Sequence, residues 1–278
     1  MPSLDGPEVG SNGLSGRPWA ATGDRDRRAG SCLRPVSARR GPGSIAAMKT
    51  LVPVLSRAAA AALVLPAALA ASVPAHATAV VQDCGGGPVT IAATLDDVTL
   101  TGVCTDVRIE ASNITVTLPA TGSLTVTGAN LDITASGPIG TLGYAGSNNS
   151  LTATGAGDVA VSGGNNEAAF TGGIGRTSVV DGNNTLEADT ISRLLVKGGN
   201  QDVRAAEVGP VTLKGSNATL TLARAPKVLV RGANNTVKAT RLPVLKIVGS
   251  NNEAVVRSGR TKVTVRGANN VVRVSRRG

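Results

Sequence analysis

A short turn that returns at a fixed interval constrains this chain more than any other feature. It reads Gly146-Ser147-Asn148-Asn149, Gly163-Gly164-Asn165-Asn166, Gly232-Ala233-Asn234-Asn235, Gly249-Ser250-Asn251-Asn252 and Gly267-Ala268-Asn269-Asn270. Degenerate copies stand at Asp181-Gly182-Asn183-Asn184, Gly198-Gly199-Asn200-Gln201 and Gly215-Ser216-Asn217-Ala218. The first asparagines fall at Asn148, Asn165, Asn183, Asn200, Asn217, Asn234, Asn251 and Asn269, always 17 or 18 residues on, and the same ruler reaches back to Asn130 and Asn113. A fixed period of this size belongs to a solenoid, in which each repeat is one coil stacked on the last.

The residues between the turns alternate. In Lys262–Val274 the inward slots are Val263 and Val265 before the turn and Val272 and Val274 after it. The same four slots hold Val, Ile, Leu, Ala, Tyr or Phe in every coil from Val89 onward, with Thr177 the exception. This predicts an all-β, single-stranded parallel β-solenoid over 89–275, with about 11 coils and two short strands per coil. Tyr144 and Phe170 occupy inward slots and read as core. Proline at 119, 138, 210, 226 and 243 marks corners between strands, where a missing N–H does no harm.

Turn chemistry follows from geometry. Glycine reaches backbone angles closed to other residues, and asparagine tolerates the left-handed region. Asparagines repeated at one position also predict a ladder, each side-chain amide bonding the next coil's, through Asn113, Asn130, Asn148, Asn165, Asn183, Asn200, Asn217, Asn234, Asn251 and Asn269. The role is structural.

The front of the chain reads differently. Met48-Lys49, an apolar run from Ala58 to Ala71, and Ala75-His76-Ala77 have the three parts of a secretory signal peptide over 48–77, cleaved near Ala77. Residues 1–47, polar and rich in Gly, Pro and Arg, then read as a start-site artefact, the alternative being a genuine disordered extension. Residues 78–88 form an N-terminal cap segment and 276–278 a basic tail. No later stretch is apolar enough for a transmembrane segment, so the expected product is secreted or held noncovalently at the cell wall. Cys84 and Cys104 are 20 residues apart, about one coil plus a turn. Stacked coils lie ~4.8 Å apart, which suits a disulfide between the first coil and the second.

The segments Cys84-Gly85-Gly86, Val89-Thr90-Ile91, Val98-Thr99-Leu100-Thr101-Gly102-Val103-Cys104 and Val107-Arg108-Ile109, followed by Gly-x-Asn-Asn coils, resemble the bacterial domain of unknown function 3060 over about residues 80–275. The resemblance implies an exported bacterial protein and brings no activity with it. The chain departs from the pattern where Ala93-Thr94-Leu95-Asp96 and Ala111-Ser112-Asn113-Ile114 replace the turn.

Charge carries the remaining functional information. From Val80 to Thr190 there are 11 acidic and two basic residues, a balance of −9, and from Ile191 to Gly278 there are 17 basic and three acidic, a balance of +14. The outward slot before the turn glycine holds Lys197, Lys214, Arg231, Val248 and Arg266 in successive coils, and the outward slot of the second strand gives Arg204, Lys238 and Arg273. One reading is a charged surface that blocks edge-to-edge aggregation, with Arg276 and Arg277 guarding the last edge. The other is a basic face for a repeating polyanion, such as an anionic cell-wall polymer, an acidic polysaccharide or extracellular DNA. The opposite charges of the two halves also allow head-to-tail self-association. Outward aromatics are absent, so specific nucleic-acid recognition is not expected.

Other classes have less support. The outward pairs Thr99/Thr101, Thr125/Thr127, Thr134/Ser136 and Thr152/Thr154 look like an ice-binding surface, but threonine is also a favoured exposed strand residue. A polysaccharide-active enzyme would need carboxylates gathered in a groove. Asp181, Glu187 and Asp189 are the best cluster, with only Arg176 and Arg193 near them in sequence, and no long loop walls a cleft. The only histidine, His76, lies in the signal peptide. The reading is therefore an exported, non-enzymatic structural or binding module of the bacterial envelope, with no catalytic residues, metal or cofactor.

Overall fold

A computed structural model of the chain describes residues 79–92 and 96–275, all within the unit Ala70–Gly278. The readings for 1–47, 48–77 and 276–278, with the cleavage site near Ala77, His76, Arg276 and Arg277, lie outside the described residues.

Every regular element among the described residues is a strand, and the strands pair in parallel with a register step of 17 or 18 residues. The chain is a β-solenoid of about 11 turns. Each coil lays one strand on a leading face, before the turn, and one on a trailing face, after it. Cys104–Ile109, Lys227–Arg231 and Val244–Val248 lie on the leading face, and Asp132–Ala135, Thr236–Arg241 and Glu253–Ser258 on the trailing face.

Alternation places two mostly aliphatic columns behind each face. On the leading face Ile109, Val126, Tyr144, Val161, Val179, Val196, Leu213, Val230 and Ile247 stack in register, all buried. On the trailing face Val116, Ile133, Leu151, Ala168, Leu186, Val203, Leu220, Val237 and Ala254 do the same. Each buried aliphatic contributes roughly 1.5–3 kcal/mol, so a one-residue slip, which would turn these columns to solvent, is strongly disfavoured. Thr177, in the other leading-face column between Val159 and Leu194, is buried with its hydroxyl donating to Gly175 O at 3.3 Å. Tyr144 and Phe170 are both buried. The Tyr144 hydroxyl donates to Glu167 O, and burial, then the charges of Asp132 and Glu167, hold its phenol far above the usual tyrosine range.

The structure differs from the sequence reading in several places. Val80–Asp83, inside the cap segment 78–88, is a strand paired with Val98–Thr101, so the ladder begins at Val80. Two short strands per coil do not hold throughout, because Glu167–Val179 and Thr185–Gly199 each run as one strand from the trailing face to the leading face, their register shifting between Phe170 and Gly173. Neither has a corner proline, so every N–H remains available to the ladder, although the proline-free corners after Ala153 and Ser258 still interrupt their strands. In the last coil Val263 and Val265 face inward yet are 38% and 40% exposed, because no later coil among the described residues covers them. The threonine pairs do not make one surface: Thr99, Thr117, Thr134 and Thr152 stack on the trailing face, whereas Thr125 is on the leading face beside Gly143.

Candidate functional site

The turns fix how the two faces meet, and their two asparagines do different work. Every first asparagine, from Asn113 to Asn269, has φ between 54° and 62°. Glycine is required just before by close stacking: a Cβ on Gly232 would lie 1.8 Å from Gly215 O, and one on Gly249 would lie 1.9 Å from Gly232 O. The amide ladder read through the first asparagines joins Asn113, Asn130, Asn148 and Asn165 at 2.8–3.2 Å, and no such bond continues to Asn183. The buried ladder runs instead through the second asparagine. Asn252 Oδ1 accepts the Asn235 N–H and Asn270 Oδ1 accepts the Asn252 N–H, both at 3.0 Å, while Asn252 Nδ2 donates to Gly232 O at 3.0 Å. Asn149, Asn166 and Asn184 repeat this pattern, whereas Gln201 keeps only the donor half, Nε2 to Asp181 O, and Ala218 only the backbone half, its N–H donating to Asn235 Oδ1 at 3.0 Å. The signal was present in the sequence, since Asn149, Asn166, Asn184, Asn235, Asn252 and Asn270 recur beside their partners. Strand alternation shows which asparagine leaves the turn toward solvent only when the turn's own geometry is known.

Cys84 and Cys104 are joined, with Cα atoms 5.1 Å apart across 20 residues, at the end of the ladder where fraying would begin. A loop of this size constrains the unfolded chain by about 3 kcal/mol.

Lys197, Lys214, Arg231, Val248 and Arg266 form one register column on the leading face. Arg193, Lys227, Lys246 and Lys262 share that face in other outward slots, a consequence of the same alternation that the sequence reading did not follow through. Between the flanking cations Leu195, Thr212 and Leu229 stack outward and half-buried. Neighbouring coils are ~4.8 Å apart, well inside a Debye length of about 8 Å, so the cations repel each other. At 4 Å two like charges in water cost about 1 kcal/mol.

The second set lies on the trailing face. Arg204, Thr221, Lys238, Val255 and Arg273 form one column, so its cations recur only at every second coil. All three acids of residues 191–278 are in trailing strands or their extensions, and each is paired there: Asp202 with Arg204 at 2.9 Å, Glu207 with Arg224 at 3.1 Å, and Glu253 with Arg273 at 3.3 Å. Among the described residues no leading-face cation from Arg193 onward has an ion-pair partner. The two candidate sets are therefore unequal. Two of the three trailing cations are already neutralised.

The acidic cluster also separates. Asp181 belongs to a turn, where its carboxylate accepts the Gly163 N–H at 3.0 Å. Glu187 is in register with Arg204, so a basic neighbour stands beside it that linear sequence spacing hides. Glu187 and Asp189 line a shallow groove with Arg204, Lys238 and Arg257, although no long loop walls it. No helix among the described residues is long and apolar enough to cross a membrane. No family model, curated protein or solved structure matches this chain.

Proposed function

We propose that this chain is an exported, non-enzymatic binding module of the bacterial envelope, and that it holds a polyanion along the leading face of residues 191–275. One observation carries the reading: the cations of that face have no acidic partner, whereas the acids of the same half all sit on the other face. A surface serving only solubility gains nothing from stacking Lys197, Lys214 and Arg231 in adjacent coils, because interleaved signs would do as well without the repulsion. A ligand with repeated negative charges removes that repulsion and releases its own counterions, which gives affinity that falls with salt. The column runs along the solenoid axis, so the favoured ligand is a linear polymer lying parallel to it. Wall polymers with phosphodiester backbones and acidic polysaccharides fit this chemistry. Outward aromatics are absent among the described residues, so nucleic acid would be held by charge alone, without base recognition. Export rests on the signal-peptide pattern of 48–77 and on the resemblance to the domain of unknown function 3060.

The test is cosedimentation of the chain with isolated bacterial cell walls across a salt series. A variant with Lys197, Lys214, Arg231 and Arg266 replaced by glutamine runs alongside. The expected result is binding that declines with salt and is largely lost in the variant. Absence of binding at low salt would make the cations a solubility device.

A further inference from the structure

The groove on the trailing face lies where the acidic and basic halves of the solenoid meet, and it encloses about 470 Å³. Its two rims are adjacent outward columns. One runs Glu187, Arg204, Thr221, Lys238 in register. The other, one residue past the inward column, holds Asp189, Ala206, Ala223, Thr240 and Arg257. One end therefore has two carboxylates, Glu187 and Asp189, and neither forms an ion pair among the described residues. The other end has two cations, Lys238 and Arg257, also without ion-pair partners among the described residues. Arg204 lies between them and is committed to Asp202 at 2.9 Å.

This arrangement selects a ligand. Glu187 and Lys238 are three coil steps apart, ~14 Å at ~4.8 Å per step. That exceeds the Debye length of about 8 Å, so the two ends do not neutralise each other through solvent. A molecule of one sign is repelled at one end. A molecule with opposite charges at its two ends, ~14 Å apart, satisfies both. An extended peptide spans at most ~3.3–3.6 Å per residue, so about four residues fit. The floor between the rims is apolar, formed by Ala188, Ala205, Leu222 and Ala239. The rim there carries only the methyl groups of Ala206 and Ala223, which lets a backbone approach closely, while the Thr221 and Thr240 hydroxyls can bond its amides. The strands' own backbone is engaged in the ladder on both sides, so recognition must come from side chains reading the peptide's ends. Phe170, the one aromatic lining residue, is buried and offers no stacking platform for a sugar.

We propose that this groove binds a short extended peptide of about four small residues, its ammonium group at Glu187 and Asp189 and its carboxylate at Lys238 and Arg257. The site is separate from the leading-face cations, so either can fail without the other.

Calorimetric titration of the full chain with tetra-alanine tests it, using free, N-acetylated, C-amidated and doubly blocked forms. Blocking either end weakens binding by about three- to tenfold, as expected for partly exposed charge pairs. Changing Glu187→Gln with Asp189→Asn removes the penalty for acetylation and leaves the penalty for amidation. Lys238→Gln with Arg257→Gln does the reverse, and the leading-face glutamine variant changes neither. All these side chains are exposed, and thermal unfolding confirms that each variant is folded. Equal binding of free and doubly blocked peptides overturns the proposal, as does no detectable binding of the free peptide. Variants that affect both ends alike also overturn it.

Discussion

The leading and trailing faces of residues 191–275 are built alike and charged differently. Both are parallel strands with the same coil step, and both carry cations in outward slots. On the trailing face Arg204, Arg224 and Arg273 each hold a carboxylate, while on the leading face Lys197, Lys214, Arg231 and Arg266 hold none. These surface pairs contribute at most about 1 kcal/mol each, so their value to the fold is small. Their effect on the field is larger, because they leave most of the unpaired charge of this half on the leading face, with Lys238, Arg241 and Arg257 the unpaired cations of the trailing strands among the described residues. A basic composition alone explains a positive half. It does not explain a positive face.

The strongest way to break this comparison is to invert charge on each face in turn. Lys214→Glu with Arg231→Glu is expected to lower affinity for a polyanion by about 100-fold or more at low salt, since two attractive contacts become repulsive. Arg204→Glu with Lys238→Glu should lower it only a few-fold. Equal losses measured in the same binding assay would mean that the faces are equivalent.

Next in size is a substitution that touches neither face. Asn252→Ala leaves the Asn235 N–H and the Gly232 carbonyl without their partners in a buried turn, which costs about 1–3 kcal/mol in denaturant unfolding. Its polyanion binding should be unchanged. If unfolding free energy barely moved, stability would have to reside in the faces after all. Ala218 shows that the solenoid tolerates one gap in this ladder.

A smaller effect is expected from Leu229→Glu, which places an acid between the two cation columns of the leading face. Binding should weaken by about tenfold while thermal stability holds or rises, because like-charge repulsion is relieved. Unchanged binding would show that the ligand does not cross this face. The smallest effect is also the most diagnostic. Replacing Asp202, Glu207 and Glu253 by their amides frees Arg204, Arg224 and Arg273. The trailing face should then gain a few-fold in polyanion binding, at less than about 1 kcal/mol of stability per pair. No gain would mean that pairing is not what distinguishes the faces.

Most of the fold was legible in the sequence because its signals are local and repeated. Alternation identified the inward slots, the turn spacing set the coil, and Cys84 and Cys104 fell about one coil plus a turn apart. The continuous strands at Glu167–Val179 and Thr185–Gly199 were hidden, because a corner without proline looks the same whether or not the ladder passes through it. The two roles of the turn asparagines were hidden for a related reason: only the backbone angle at the first shows that the second turns inward. The candidate site was half legible. Lys197, Lys214, Arg231 and Arg266 align on the repeat, but the pairing of Arg204 with Asp202, two residues away, depends on rotamers, and the position of Glu187 beside Arg204 depends on the register of a coil 17 residues away.

The central claim, that the leading face is the working charged surface, is tested most directly by a salt slope. The logarithm of the binding constant for a polyphosphate of defined length would be followed against the logarithm of salt concentration. Wild type would be compared with Lys197→Gln/Lys214→Gln/Arg231→Gln and with Arg204→Gln/Lys238→Gln/Arg273→Gln. The leading-face variant is predicted to lose about two units of slope, at roughly 0.7 per cation removed, and the trailing-face variant less than about one. Equal losses from both variants, or a wild-type affinity insensitive to salt, would contradict the account.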